Sequence, residues 1–187
     1  GRIVKRAYEN AFAIYALAAH YRVTKNIAAL ELAKKGFGWL DRHSYDPVHG
    51  GYFQFLAKDG TPFQNGYGDV PPKDQNSSIH LLEAFTELYQ VWPDTLLRER
   101  LHSLMLLIRD TIVTEQGYMK LFFQKDWTHY SLRDSVTPDK KFRSYLDHVS
   151  FGHDVETAYL LMEASETLGQ GHDSTTLKIA KNMVDHA

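Results

Sequence analysis

Apolar residues recur every three or four positions along most of the chain, which is the spacing of one face of a helix. An alanine-rich run without Pro or Gly predicts a largely buried helix over residues 8–23. A second helix is predicted over residues 27–43, where one buried stripe consists of Leu30, Ala33, Phe37 and Leu40. The Pro and Gly residues of segment 46–51 end this helix.

Four more helices follow the same pattern. Asp74 or Asn76 can cap a third helix that stops before Pro93, and Asp94 can cap a fourth. Residues 152–154 open a fifth helix and Ser174 can cap a sixth. The fourth helix carries the apolar stripe Leu97, Leu101, Leu104, Met105, Ile108 and Ile112, and on the fifth we expect the inward face to hold Val155, Tyr159, Met162 and Leu168.

Two short aromatic segments interrupt the helical pattern. Residues 52–56 are prone to form a strand, and the Lys-Asp-Gly-Thr turn at 58–61 predicts a short β-hairpin there. Residues 118–123 predict a second short strand, followed by a polar loop over residues 126–147. We expect these strands to decorate loops of an all-α protein.

The chain also shows weak internal similarity. Residues 82–88 align with residues 162–168 at an offset of 80, and Tyr21 aligns with Tyr89 at an offset of 68. Periods of this length favour an α/α toroid over a tetratricopeptide array, whose period is about 34 residues. We therefore predict a single domain over residues 1–187 that forms half of a closed barrel of helical hairpins.

Composition narrows the class of protein further. The formal net charge of −2 with scattered basic residues argues against nucleic acid as a partner, and the absence of cysteine removes disulfides and thiolate metal sites. No apolar run reaches the roughly 20 residues of a membrane span, so we expect a soluble, cytoplasmic protein. Because the chain has neither an initiator Met nor a signal-peptide pattern, we interpret it as a fragment.

Polar side chains occur near the starts of the first, third and fifth helices. Asn76 and His80 are four residues apart, and His153 and Glu156 are three apart, so each pair shares a helical face. The two offsets place Tyr8, Asn76 and Glu156 at equivalent positions, which would converge on one mouth of a toroid.

Other interpretations of these residues carry less weight. A capping Asn and a solvated His would explain one such pair, but not two. No dense set of His, Asp and Glu ligands predicts a metal. An inverting glycosidase needs two facing carboxylates, whereas Asp154 and Glu156 point in different directions.

Two segments resemble the signatures of a sugar epimerase family. Residues 76–84 resemble N-x-x-x-H-x-x-E-A, and residues 151–158 contain G-H-D-x-E, both of which are typical of the N-acylglucosamine 2-epimerase and cellobiose 2-epimerase family. Residues 46–52 resemble its D-P-x-x-G-G-Y turn. Residues 8–17 resemble its Tyr-Gly-Gln segment, with Glu-Asn in place of Gly-Gln.

The resemblance implies an (α/α)6 barrel that acts on the reducing end of a free sugar without a cofactor or metal. It implies that His153 is an acid/base catalyst, and that His80 and Asn76 contact the reacting oxygens and assist ring opening or enediolate stabilisation. Glu156 matches a sugar-binding glutamate, and Tyr8 matches a tyrosine of the cavity. Family members are longer at both ends, and their second catalytic His and a substrate-binding Arg fall in segments absent here. We therefore expect negligible epimerase activity from this chain alone.

The same residues are compatible with two other functions. An aldose–ketose isomerase of the same fold would run through the same enediolate, so the residues present do not separate it from an epimerase. A non-catalytic helical domain that binds a carbohydrate is the second alternative.

Overall fold

Six helices form three successive hairpins in this computed structural model, which describes residues 4–133, 145–171 and 173–187. The helices are α1 (Ala7–Thr24), α2 (Ile27–His43), α3 (Gln75–Val91), α4 (Thr95–Leu107), α5 (Phe151–Thr167) and α6 (Ser174–His186). A π-helical turn, Ile108–Ile112, extends α4, and a single helical turn spans residues 145–147.

Side-chain caps explain where several helices begin. The side chains of Asn26, Asp74 and Asp94 accept hydrogen bonds from backbone amides of α2, α3 and α4, which satisfies donors that have no partner within the helix. The predicted caps Asp74 and Asp94 are therefore confirmed. The sixth helix is capped by Asp173 rather than by Ser174, which is its first helical residue.

The helices lie in two layers. Helices α1, α3 and α5 pack side by side, and α2, α4 and α6 each pack behind the helix that precedes it in the chain. Because α3 lies between two inner neighbours and in front of α4, it is buried along most of its length. The predicted stripes on α2 and α4 both face one continuous core. This is the arc of a partial α/α barrel, as predicted.

Two helices orient differently from the prediction. On α1 only the narrow face of Ala7, Ala11, Ile14 and Ala18 is buried, so the helix is not largely buried as expected. On α5, Val155 and Tyr159 are 44% and 63% exposed rather than inward-facing. The buried face of α5 consists instead of small and aliphatic residues that pack closely on the core, chiefly Ala158, Leu160, Leu161 and Ala164.

The starts of the inner helices correct one of the predicted offsets. Helix α1 begins at Ala7 and α3 at Gln75, a difference of 68 that confirms the first offset. Helix α5 begins at Phe151, and 151 minus 75 gives 76 rather than 80. Glu156 therefore lies one helical turn further along its helix than Asn76 does, at the level of His80, and the predicted equivalence with Asn76 is wrong.

Two small antiparallel sheets tie distant segments together. Strand β1 (Val4–Arg6) pairs with β2 (Phe55–Ala57), and β3 (Lys73–Asp74) pairs with β4 (Phe122–Phe123). The predicted hairpin forms around the 58–61 turn as one antiparallel bridge between Leu56 and Pro62, with hydrogen bonds from the Ala57 amide to the Thr61 carbonyl and from the Phe63 amide to the Phe55 carbonyl. The strands therefore do more than decorate loops, because β1 leads directly into α1 and β3 directly into α3.

A buried lysine anchors the segment that leads into α3. Lys73 is fully buried, and its Nζ donates to Asp46 Oδ2 at 2.8 Å, to the Gly50 carbonyl at 2.9 Å and to the Lys125 carbonyl at 2.7 Å. Trp127 packs over the ammonium and donates its indole N–H to the Gly50 carbonyl at 3.0 Å. We call Asp46, Gly50, Lys73 and Trp127 the Lys73 cluster.

The electrostatics of the Lys73 cluster reflect burial and pairing. Burial opposes ionisation of Asp46, but the hydrogen bonds from Lys73 and the Val48 amide outweigh it and lower the Asp46 pKa to about 2. Burial lowers the Lys73 pKa, against the opposing attraction of Asp46. The ammonium makes three hydrogen bonds, which is its full donor capacity.

Among the residues that the structure describes, no helix is both long enough and apolar enough to cross a membrane.

Candidate active site

The first turns of the three inner helices meet at one cavity of about 340 Å³. Tyr8 comes from α1, Asn76 from α3 and His153 from α5, which brings three of the five predicted site residues to its wall. The other lining residues are Arg6, Gln54, Phe55, Val70, Asp74, Gln75, Ser77, Leu121, Phe122, Tyr145 and His148.

The two predicted catalytic histidines lie next to each other beside this cavity. The ring centroids of His80 and His153 are 6.4 Å apart with an interplanar angle of 85°. His80 is only 8% exposed and also packs against Tyr8 and Phe12, at centroid distances of 5.6 Å and 4.7 Å. Packing on these rings fixes the orientation of the His80 imidazole, which a catalytic or substrate-binding group requires.

Each histidine also has a polar neighbour at its Nδ1 atom. Glu83 Oε2 lies 3.2 Å from His80 Nδ1, one turn along α3. Gln75 Nε2 lies 3.3 Å from His153 Nδ1 and joins α3 to α5. Because a polar neighbour lies at Nδ1 in both rings, Nε2 on the other side of each ring points away from that neighbour.

A carboxyl group that the sequence indicated only as a helix cap also lines the cavity. Asp74 is 7% exposed, and its Oδ1 accepts from the Ser77 amide at 3.3 Å. Burial raises the Asp74 pKa to about 6, although the Ser77 hydrogen bond and the nearby His80 and Arg6 oppose this. A carboxyl group that titrates close to neutral pH in a cavity is typical of a functional site.

The two acidic residues of the G-H-D-x-E segment have separate places. Asp154 is buried below the cavity, where its Oδ1 accepts from the Met119 amide at 3.0 Å and burial raises its pKa. It therefore supports the loop that carries β4. Glu156 is half-buried one turn beyond His153 and does not belong to the residues that line the cavity. Of the five predicted site residues, Glu156 and His80 do not line the cavity, and His80 instead packs beside it against Tyr8 and His153.

Sequence reasoning missed several residues of this wall. Asp74 and Gln75 directly precede Asn76 at the start of α3, and this position is the signal by which the sequence could have indicated that they line the cavity. Arg6 reaches the wall because β1 precedes α1. Tyr145 and His148 belong to or follow the predicted polar loop, of which residues 134–144 lie outside the described residues.

The polar groups in and beside the cavity are imidazole, amide, phenol, carboxyl and guanidinium groups. Within the described ranges, no group of three or more His, Asp or Glu residues is arranged to hold a metal ion. The groups present can exchange protons and donate hydrogen bonds to oxygen atoms, which is the chemistry of His, Asn and Tyr side chains.

Known proteins are similar to this chain in both sequence and architecture. A cellobiose 2-epimerase of Bacteroides fragilis is 32% identical over 174 residues, covering 88% of this chain and 40% of the relative. The solved structure of cellobiose 2-epimerase from Spirochaeta thermophila matches 99% of the chain at 30% identity and a TM-score of 0.83, and 44% of that chain is covered. The Bacillus thermoamylovorans enzyme matches the whole chain at 25% identity and a TM-score of 0.84, with 45% of that chain covered.

The chain thus spans less than half the length of the relatives it matches. The family model of N-acylglucosamine 2-epimerase matches residues 3–187, which includes all the helices and every residue of the cavity wall. The chain therefore belongs to the N-acylglucosamine 2-epimerase family.

Proposed function

We propose that the protein is a carbohydrate 2-epimerase that exchanges the proton at C2 of a free reducing-end sugar. The observation that carries this proposal is the pair of adjacent imidazoles, His80 and His153, beside a cavity that Asn76 and Tyr8 also reach. Family membership supports the same assignment, since the relatives compared above are cellobiose 2-epimerases.

The reaction begins at the open-chain form of the sugar, in which the C1 carbonyl acidifies the proton at C2. His153 Nε2 takes this proton, the electron pair of the C–H bond forms the C1–C2 double bond, and the carbonyl oxygen becomes negatively charged. Histidine suits this step because its ordinary pKa lies near neutral pH. Return of a proton to the opposite face of C2 gives the epimer, and we assign that transfer to a second acid/base group outside this chain.

The enediolate requires hydrogen-bond donors at its oxygen atoms. His80 and the Asn76 amide are proposed to supply them, with Glu83 at His80 Nδ1 helping to fix the orientation of that ring. Tyr8 packs on His80 and lines the cavity, so it is proposed to contact the sugar. Glu156 lies at the level of His80 on α5 and is proposed to bind a sugar hydroxyl further along the inner face.

The substrate class follows from the family and the cavity. A volume of about 340 Å³ with mixed polar and aromatic walls fits a small polar ligand. Relatives named for cellobiose and a family named for N-acylglucosamine support a cellobiose-type disaccharide or an N-acylated amino sugar.

Deuterium incorporation at C2 tests the proposal. The longest natural form of the protein is incubated in D2O with glucose, mannose, N-acetylglucosamine, N-acetylmannosamine or cellobiose, and exchange at C2 is followed by NMR. We expect exchange with at least one of these sugars, and loss of it in His153→Gln. The matched control is His20→Gln, which changes an exposed histidine of the same inner layer and should leave exchange unchanged.

The products separate the alternatives. A C2 epimer that carries deuterium supports the epimerase, whereas a ketose without a C2 epimer identifies an aldose–ketose isomerase of the same fold. A folded protein that binds one of the sugars but exchanges no proton would contradict the proposal and identify a carbohydrate-binding domain.

A further inference from the structure

The side chain of Gln75 is buried beside His153 with only one end of its amide engaged. Gln75 is 6% exposed, and its Nε2 lies 3.3 Å from His153 Nδ1. Its Oε1 is buried without a hydrogen-bond partner. Most buried polar atoms have partners, so a half-satisfied amide against an imidazole calls for an explanation.

The fold does not require this amide. The backbone N–H of Gln75 donates to the Leu121 carbonyl at 2.9 Å, and this bond continues the pairing of β3 with β4 into α3. Gln54 provides the contrast, since it is equally buried in the same cavity wall but donates its Nε2 to the Pro71 carbonyl at 2.6 Å. The amide of Gln54 joins two backbone segments, whereas the amide of Gln75 meets only a side chain.

A primary amide can pair with either tautomer of a neutral imidazole. A neutral ring has one N–H and one bare nitrogen, and a half-turn of the amide exchanges its NH2 and its oxygen. With the NH2 toward His153, Nδ1 accepts and the ring proton sits on Nε2. With the oxygen toward His153, Nδ1–H donates and Nε2 is bare, which is the form that can accept a proton.

We propose that Gln75 is the positioning residue of His153: with its amide turned by half from the orientation in the structure, in which Nε2 faces the ring, its oxygen accepts from Nδ1–H and so keeps Nε2 bare as the base. This inference rests on the proposed function, because it assigns a partner to the acid/base group of that reaction. When Nε2 takes the proton from C2, the ring becomes an imidazolium, and Nδ1–H continues to donate to the amide oxygen. His153 then releases this proton to solvent, which restores the neutral ring for the next turnover, so Gln75 gains and loses no proton.

Other charged and titratable groups face His153 and must be held constant in a test. They are Asp154 on α5, Asp74 and His80 on α3, and, around the cavity, Arg6, Tyr8, Tyr145 and His148. Substitution of Gln75 alone leaves all of these groups in place.

The direct test reads the His153 tautomer by 15N NMR of histidine-labelled protein in its longest natural form, with His153→Gln to assign the signals. Gln75→Glu presents only acceptor oxygens, so it should drive His153 to the Nδ1–H form and raise its titration midpoint by about one pH unit. Gln75→Met removes the partner and should shift the ring toward the Nε2–H form that free histidine prefers. Gln54→Met is the matched control and should leave the His153 signals unchanged.

The second readout is the pH dependence of C2 exchange. Gln75→Glu should move the acidic limb of kcat/KM to higher pH by the same interval as the NMR midpoint, and Gln75→Met should lower kcat about tenfold with KM nearly unchanged. His153 signals that are identical in wild type, Gln75→Glu and Gln75→Met would overturn the inference. Absence of exchange on every sugar, with the tautomer still responding to Gln75, would instead refute the proposed function alone. Gln75→Glu keeps the side-chain volume, so the test survives if Gln75→Met does not fold.

Discussion

Three consecutive residues, Lys73, Asp74 and Gln75, are all buried, yet they belong to two different kinds of environment. Lys73 points into the Lys73 cluster, where its three hydrogen bonds satisfy its donor capacity. Asp74 and Gln75 line the cavity, where burial raises the Asp74 pKa to about 6 and the Gln75 amide has a hydrogen-bonding neighbour at only one of its two ends. The cluster holds the start of α3 in place, and the cavity wall carries the groups that remain available to a ligand.

This difference shows how stability and function divide along one short segment. Buried polar groups stabilise a fold only when they are fully paired, and incompletely paired ones persist where a ligand or a reaction uses them. Substitutions in the Lys73 cluster should therefore lower the free energy of unfolding, whereas substitutions of incompletely paired groups in the cavity wall should raise it.

The largest effect is expected from Lys73→Met. Removal of the ammonium leaves the buried Asp46 carboxylate without its cationic partner and the Lys125 carbonyl without this donor, which should destabilise the fold by about 3–5 kcal/mol. Urea unfolding followed by tryptophan fluorescence measures the change. Lys125→Met, in which an exposed side chain is altered while its carbonyl still accepts, should cost less than about 0.5 kcal/mol. Addition of Asp46→Asn to Lys73→Met should recover part of the loss, and equal losses in both lysine variants would contradict the assignment.

A smaller effect is expected at the glycine turn of the same cluster. Gly50 and Gly51 have φ values of +70° and +69°, so Ala at either position carries the same backbone strain. A Cβ on Gly51 would lie 2.3 Å from Trp127 Cζ2, whereas a Cβ on Gly50 meets no atom within 4 Å. Gly51→Ala should therefore be less stable than Gly50→Ala by about 1–3 kcal/mol in thermal or urea unfolding. Similar stabilities would mean that Trp127 does not pack rigidly on this turn.

The smallest effect, and one of opposite sign, is expected from Asp74→Asn. The Asp74 pKa is raised from 3.8 to about 6, so its contribution to stability is present below about pH 4 and is lost as the pH rises through 6. Asn keeps a capping oxygen and does not ionise, so the variant should be more stable than wild type at pH 8 by about 1–3 kcal/mol, and this gain should disappear near pH 4.

Asp94→Asn is the matched control for that measurement. Asp94 is also a half-buried helix cap, and its side chain accepts from the backbone N–H of Leu97. Asp94→Asn therefore measures how much stability changes when a capping carboxylate is replaced by a side-chain amide. An Asp74→Asn variant that is destabilised at pH 8 as strongly as Asp94→Asn would contradict the burial cost assigned to Asp74.

The helices were predictable because local signals determine them. Asn26 and Asp94 cap their helices, and the predicted bounds of α2 are those observed, since its apolar stripe has one clear helical period. Two short spacings within the chain, that of Asn76 to His80 and that of His153 to Glu156, also placed candidate chemistry near helix starts. Of the three residues predicted to converge on one mouth of the barrel, Tyr8 and Asn76 line one cavity and Glu156 does not, whereas His153 does.

Long-range pairing was not predictable in the same way. The partner of β2 is β1, about 50 residues away, and neither three-residue segment identifies the other by its sequence. The predicted face of α5 was wrong because its buried side combines small residues such as Ala158 with Leu160 and Leu161, while Val155 and Tyr159 are exposed. The offset of 80 placed Glu156 one turn off, because similarity at the end of the helix did not fix where it begins.

The common direction of the three inner helices has an electrostatic consequence for the proposed reaction. Helices α1, α3 and α5 all present their N-terminal turns to the cavity. Aligned peptide dipoles give each N-terminus the effect of about half a positive elementary charge. Three such ends around one cavity favour an anion there, so the backbone itself would stabilise the negative charge of an enediolate before any side chain donates to it.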